Sequence, residues 1–539
     1  APDTAPAPGL RGDSPDGRGA PADAGSPLVP ADGTVPAPRE DAAEAAAAAG
    51  GVVPAPGGPG SAVPAGVPVE DTAPLSLQQR DLWFRDRPGH LAAAHDNVQL
   101  AFRLDGPLDR DAFVRSVRAL VERHPVLRTG YHRHPGGGLS QRVHDAAGFA
   151  VTVAPAPCDE AGLAAWLRAE RARPFDPEGP YALRSHLLTL ADDRHVAVLT
   201  RPWGVFDGWS VNIVLTEQQA LYRAFARDEE PALAPLPTTY ADFARQQAAA
   251  VTAEELDRQR DHWRRRLDGA PVSPSTRTDY ERCPVKTYQG AQVELSAPGD
   301  VAARLRRLGQ DHGATLYMTL LAAFAALLGG ESDDPDLVIG TPVANRPEAE
   351  LEGVVGYFVN MLPMRLDADP GRAFTELLAQ AKDATGEAHA HKDVPCADLA
   401  AALVPHRDPA RSPLFQATFN LLPTWDVPSD DDAGAPAVTR LRTDAGTSRY
   451  DLSLVVQETG AGLAGYLEYS TDLYTPATAE RLARAYEHLL ARIAGDPGGS
   501  LAGLRAPAPG GDRPSAPRPG AARTQPKGGR RPARRRSGR

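Results

Sequence analysis

Apolar and polar positions divide the chain into segments of helical and strand period. Phe113, Val117, Leu120 and Val121 share one helical face within 108–124, after Asp109 as a cap. Ser76 caps a further helix that starts at Leu77. The stretch 98–104 alternates like a strand, and 184–190 and 195–200 predict two more. The last of these runs straight into Arg201, Pro202 and Trp203. Val211, Val214, Leu215 and Ala220 then predict a long helix after Gly208.

A second series follows. A short strand is predicted at 292–295 and an amphipathic helix at 301–312. The stretch 316–328 is apolar nearly all round, the mark of a buried helix. Strands at 337–342 and 414–421 flank a helix at 374–391. Two paired strands, 452–458 and 464–469, precede a last helix at 476–493. The pattern predicts two α/β halves, 74–250 and 251–504, each mixing sheet with long helices.

Composition changes the picture at the ends. The 539 residues include 50 glycines and 53 prolines, concentrated in the terminal segments. Residues 1–73 are rich in Ala, Pro and Gly, with a short helix expected at 41–49. Such a segment buries too little apolar surface to offset its conformational entropy, so disorder is expected there. Residues 505–539 carry 11 basic side chains and 1 acidic one, and a solvated tail is expected. The formal net charge of −11 therefore covers a more acidic body, which argues against nucleic acid as a partner. No run reaches the roughly 18 apolar residues of a membrane span, and no secretory signal is visible. Cys158, Cys283 and Cys396 lack metal-ligand spacing and are expected to be free thiols in a reducing cytoplasm. No metal site is expected.

Several motifs then fall in order. They are Leu75 to Phe84, Glu122 to Thr129, Pro174 to Pro180, Tyr240 to Gln247 and His262 to Leu267. Ile339 to Arg346, Gly356 to Leu362, His391 to Pro395, Arg411 to Gln416 and Arg449 to Leu452 follow. In this order they resemble the condensation domains of nonribosomal peptide synthesis. The resemblance implies an α/β fold of two chloramphenicol-acetyltransferase-like lobes, layered sheet on helix and set as a V around a tunnel. Donor and acceptor would enter on the phosphopantetheine arms of peptidyl or aryl carrier proteins. No bound cofactor is implied, and a monomer is expected.

The decisive segment is Thr200 to Ser210. The family pattern is His-His-x-x-x-Asp-Gly. With Asp207 and Gly208 aligned, Pro202 and Trp203 stand where the two histidines belong. The second histidine is assigned as a base or positioner for the acceptor amine, a task worth about 10²–10⁴ in rate. Indole has an N–H donor and no acceptor, so Trp203 takes no proton. Its bulk would crowd the tunnel beside Pro202, and Gly204 would relieve that crowding.

The same resemblance pairs Asp207 with Arg346, a structural role, and places Ser210 and Asn360 at the tunnel. Asn360 could donate to a developing oxyanion or serve only as a buried hydrogen-bonding group. Gly208 could meet a close approach or a positive φ, or be a simple turn glycine. Arg128 and Arg80 are expected in scaffold ion pairs, and His124 and His391 in packing. Heterocyclising members carry Asp at the first histidine position, unlike Pro202, and oxygenase-recruiting members alter the Asp-Gly pair, which is intact here. No carrier-protein or adenylation motif is visible, so the chain is expected to be freestanding or cut from a larger synthetase. Two readings stay open: an acyltransferase that works by positioning, and an inactive docking domain that recruits carriers or a tailoring enzyme. A gate between modules is a third.

Overall fold

A computed structural model describes residues 67–84, 97–156, 159–271, 276–404, 406, 408–423, 436–441, 443 and 446–505. Expectations for residues 1–66, Cys158 and the tail after Arg505 lie outside the described residues.

The described chain begins with β1 (Val69–Pro74), which lies mostly inside the segment expected to be disordered. It pairs antiparallel with β4 (Leu139–His144), and β4 pairs with β3 (Thr129–Arg133). Only Ala73 of β1 is buried, so the strand shows no alternation in sequence. Arg128 fixes it: its guanidinium donates at 2.5 Å to Glu70 of β1 and to the His144 carbonyl of β4. Helix α1 (Leu77–Phe84) follows. Ser76 caps it reciprocally with Gln79, each backbone N–H donating to the other's side chain at 3.0 Å.

The N-terminal lobe is built on a five-stranded sheet. β2 (Asn97–Asp105), β5 (Val151–Pro155), β6 (Arg184–Ala191) and β7 (Arg194–Pro202) supply four strands. The fifth, β12 (Ala437–Leu441), arrives from far along the chain, and the order is β12-β2-β7-β6-β5. Both faces are covered. Ala197 and Leu199 of β7 join a core with α2 (Arg110–Arg123) and α4 (Gly208–Ala226). Val196 and Val198 join Leu167 of α3 (Glu160–Arg171) on the other face. A strand buried on both faces reads as a continuous apolar run, which is how 195–200 reads.

Two helices, α5 (Tyr240–Ala250) and α6 (Ala253–Arg266), lead to the C-terminal lobe. Its sheet contains β8 (Gly290–Pro298), β9 (Asp336–Ala344), β10 (Val359–Asp367), β11 (Ala417–Leu422), β13 (Leu452–Thr459) and β14 (Gly462–Ser470). The order is β10-β9-β11-β13-β14-β8. α7 (Gly299–Asp311), α8 (Leu316–Glu331), α9 (Phe374–Ala390) and α11 (Pro476–Gly495) surround it, with short α10 (Cys396–Leu403) and α12 (Leu501–Arg505). Every residue of α8 from Thr319 to Leu328 is buried, as its all-round apolarity predicts. Among the described residues no single helix is long and apolar enough to cross a membrane.

The lobes are not contiguous blocks, which corrects the boundary drawn at 250. β12 completes the N-terminal sheet, and Leu351, Val354, Val355 and Phe358 pack into the N-terminal core with Tyr240 and Phe243. The strip between β9 and β10 is thus anchored in the opposite lobe, against the end of β7.

Candidate active site

β7 carries the site to this junction. Its last ladder pair joins Pro202 to Asn97 of β2. Proline has no N–H to continue the ladder, and the chain turns through Trp203 and Gly204 into α4. Asp207 caps that helix, accepting from Ser210 N at 3.0 Å and Ser210 Oγ at 2.9 Å. The same carboxylate receives a two-pronged contact from Arg346, Nη1 at 2.8 Å and Nη2 at 3.0 Å. Phe358 N donates to it at 3.2 Å. Both partners of the ion pair are buried, with side chains 6% and 2% exposed for Arg346 and Asp207. Ser210 Oγ also accepts from Arg346 Nη2 at 2.9 Å and from Gly356 N at 3.1 Å. Asp207 therefore welds the 346–358 strip to the start of α4, and its oxygens are engaged by these donors.

Trp203 is 44% exposed. Its Nε1–H donates to the Tyr357 hydroxyl at 3.1 Å. Tyr357 is buried, and its carbonyl accepts from Tyr240 Oη at 2.6 Å, while Tyr240 Oη contacts Ser76 Oγ at 2.8 Å. Burial pushes the Tyr240 phenol well above its usual range, although the Ser76 contact works the other way. On the near side, Arg201 Nη1 donates to the carbonyls of Pro202 at 3.1 Å and Trp203 at 3.0 Å. Burial pulls the Arg201 guanidinium down to about 9, against the opposing pull of Asp207 and Tyr357. Pro202 and Gly204 line a crevice with Tyr131, Phe175 and Asp176 that has room for about one water. The Thr129, Phe175 and Trp203 segments, far apart in sequence, thus converge on one turn.

A family model for the condensation domain matches residues 69–510. The chain belongs to the condensation-domain family. This condensation domain is 35% identical over 450 residues to a linear gramicidin synthase of Brevibacillus parabrevis, covering 80% of this chain and 6% of that protein. It is 36% identical over 456 residues to phosphinothricin tripeptide synthetase PhsC of Streptomyces viridochromogenes, covering 83% and 41%. The chain thus spans less than half the length of these curated relatives. Among solved structures, the X-domain from teicoplanin biosynthesis superposes with a TM-score of 0.70 at 26% identity, covering 81% of this chain and 98% of that one. A four-domain nonribosomal peptide synthetase, holo-AB3403, gives 0.72 at 22% identity over 82% of this chain and 34% of that one, a likeness of fold alone. The lobes accordingly have the chloramphenicol-acetyltransferase-like fold. Condensation domains of such synthetases work with carrier-protein domains.

The condensation-domain motif residues are placed unevenly. Pro202, Trp203, Gly204, Asp207, Gly208 and Ser210 lie together on the turn and first helical residues, with Arg346 across from them. Asn360 does not present a free donor. Its Nδ2 donates to the carbonyls of Lys392 at 2.8 Å and Val394 at 2.7 Å, and its Oδ1 accepts from Cys396 N at 3.2 Å. Of the two roles expected for Asn360, these contacts match the buried hydrogen-bonding one, which holds the 392–396 loop. Gly208 needs no unusual backbone: a Cβ there would meet only Leu422 Cδ2, at 3.6 Å. Arg80 is exposed and makes no ion pair among the described residues. Arg128, by contrast, is buried in the contacts to β1 and β4.

His391 stacks on His262, centroids 3.6 Å apart and rings 2° from parallel. His124 Nε2 lies 2.5 Å from Glu217. Sequence reasoning passed over Arg201 and Tyr357. A cation closing an apolar strand was the available signal for Arg201. Tyr357 lay inside a recognised motif without a distinguishing mark.

Proposed function

We propose that this condensation domain joins a carrier-bound acyl or peptidyl thioester to an amine or hydroxyl acceptor by holding the two together, with no side-chain base at position 203. The observation that carries the reading is the frame of Asp207, Arg346 and Ser210, which holds the turn rigidly although the indole it presents takes no proton. The magnitudes allow it. Losing base assistance costs about 10²–10⁴ in rate. Positioning two reactants supplies up to about 7–11 kcal/mol of a barrier. An acceptor amine that arrives neutral is already nucleophilic, and a thioester is an activated acyl donor. The partners in this reading are peptidyl or aryl carrier proteins that bring phosphopantetheine arms, and the domain works as a monomer in the cytoplasm.

Two observations favour a second reading, a docking domain that performs no bond formation. The Trp203 N–H is tied to Tyr357 at the site, and a relative at 26% identity is an X-domain from teicoplanin biosynthesis, with another structure holding an X-domain in complex with OxyB. Single-turnover reactions with loaded donor and acceptor carriers, using wild type and Trp203→His, separate the two. Product from wild type well above the uncatalysed rate supports condensation. Carrier binding without product overturns it in favour of docking.

A further inference from the structure

Packing covers Trp203 only in part, since the residue is 44% exposed. Its backbone is unsupported by the sheet. β7 is paired on both sides only as far as Thr200, facing Gln99 and Arg184. Arg201 and Pro202 pair with β2 alone, and Pro202 contributes no N–H. The carbonyls at the end of the strand need donors from elsewhere.

Arg201 donates to both carbonyls, and Val205 N–H adds a second donor to that of Pro202 at 3.3 Å, so the Trp203 carbonyl relies on Arg201 the more. Its guanidinium lies over the Phe206 ring at 3.8 Å, and the residue is 5% exposed. Its Nε is buried with no partner, and among the described residues no carboxylate forms an ion pair with it. A buried cation that no carboxylate touches is costly even with Asp207 attracting it from a distance, and an apolar side chain of similar size would fill the same space without that cost. What an apolar residue would lose is the donation to the Trp203 carbonyl and the second donor to the Pro202 carbonyl. Tyr357 holds the other end. It accepts the indole N–H, and Tyr240 and Ser76 fix it from behind. Tyr131 Oη adds a longer contact to the Gly204 carbonyl at 3.5 Å.

We infer that Arg201 and Tyr357 are positioning residues that lock the Trp203 backbone and indole in one orientation, so that position 203 is a fixed wall of the site. The inference concerns the site read above as the reacting position, and its geometry is testable whether or not that reading holds. Full-length protein is labelled with 5-fluorotryptophan and followed by fluorine NMR. The chain has six tryptophans, and the Trp203 line is the one missing from Trp203→Phe. Tyr357→Phe and Arg201→Met should each shift or broaden that line and leave the other assigned lines in place. Arg201→Lys should restore part of the effect, because an ammonium donates to both carbonyls without the flat stack.

An unmoved Trp203 line in folded Tyr357→Phe and Arg201→Met overturns the inference. Should Arg201→Met fail to fold, Tyr357→Phe, which removes a single oxygen, decides alone. If wild type makes product, both variants should slow single turnover by roughly 10–100-fold with carrier affinity unchanged, since small misplacements at a reacting centre cost about that much. Absence of product from wild type overturns the condensation reading and leaves the NMR outcome standing.

Discussion

Replacing Asp207 with Ala tests the frame most directly. The substitution removes a carboxylate that pairs with buried Arg346, caps α4 and accepts the Phe358 N–H. Breaking a buried ion pair by deleting one partner costs about 3–5 kcal/mol, because the remaining charge stays desolvated. Loss of an N-cap costs about 1 kcal/mol. An orphaned buried N–H costs about 1–3 kcal/mol. One carboxylate makes all these contacts, so the terms overlap and the expected loss is about 4–5 kcal/mol. That is a large share of the stability of an ordinary domain.

Urea unfolding followed by far-UV circular dichroism gives the loss. Asp207→Asn should cost less, since an amide oxygen still caps the helix. Removing both partners, in Asp207→Ala with Arg346→Met, should cost less than the sum of the single losses, because no uncompensated cation remains. A loss below about 1 kcal/mol for Asp207→Ala, or strict additivity in the double variant, would refute the assignment of Asp207 as the weld between lobes.

Three further outcomes are expected. Gly208→Ala should be neutral or gain up to about 1 kcal/mol in the same urea assay, since the new methyl meets only Leu422 and alanine favours the helix. Asn360→Ala should cost about 1–3 kcal/mol and raise hydrogen exchange at Cys396, whose N–H loses its acceptor. Glu170 is fully buried against Arg184, Arg173 and His186. Burial alone would raise its pKa, yet the His186 and Arg184 contacts outweigh it and hold the carboxyl down to about 2. A depressed carboxylate pKa means the unfolded chain binds the proton first. The contribution of Glu170 is therefore complete above the usual carboxylate range and falls as pH drops toward 2. Urea midpoints measured from pH 5 to pH 2 should lose that part of their slope in Glu170→Gln.

What was legible in the sequence follows from how locally each feature is determined. The periodicity of α2 and the all-round apolarity of α8 come from their own burial, so both helices were read close to their ends. β7 was equally clear, since both of its faces are covered. β1 and β12 were not visible as strands. All but one or two of their side chains face solvent, and their partners lie far away in sequence, so no period marks them. At the site, motif spacing placed Trp203, Asp207 and Arg346. The Asn360 contacts and the pairing of Trp203 with Tyr357 depend on where side chains point once the lobes have met. A motif alone does not fix that.

The lodging of β12 in the N-terminal sheet has a consequence for synthesis on the ribosome. β2 ends at Asp105, and its outer neighbour begins only at Ala437. Translation at about 5–20 residues per second leaves that edge without its partner for roughly 15–70 s. An open edge invites pairing with other chains throughout that interval. The first lobe can collapse early, but it is closed only when nearly the whole domain has been made. Exchange of one half between related condensation domains would thus hand the nascent sheet a foreign edge strand, and compatibility at 437–441 would set the yield of folded hybrids.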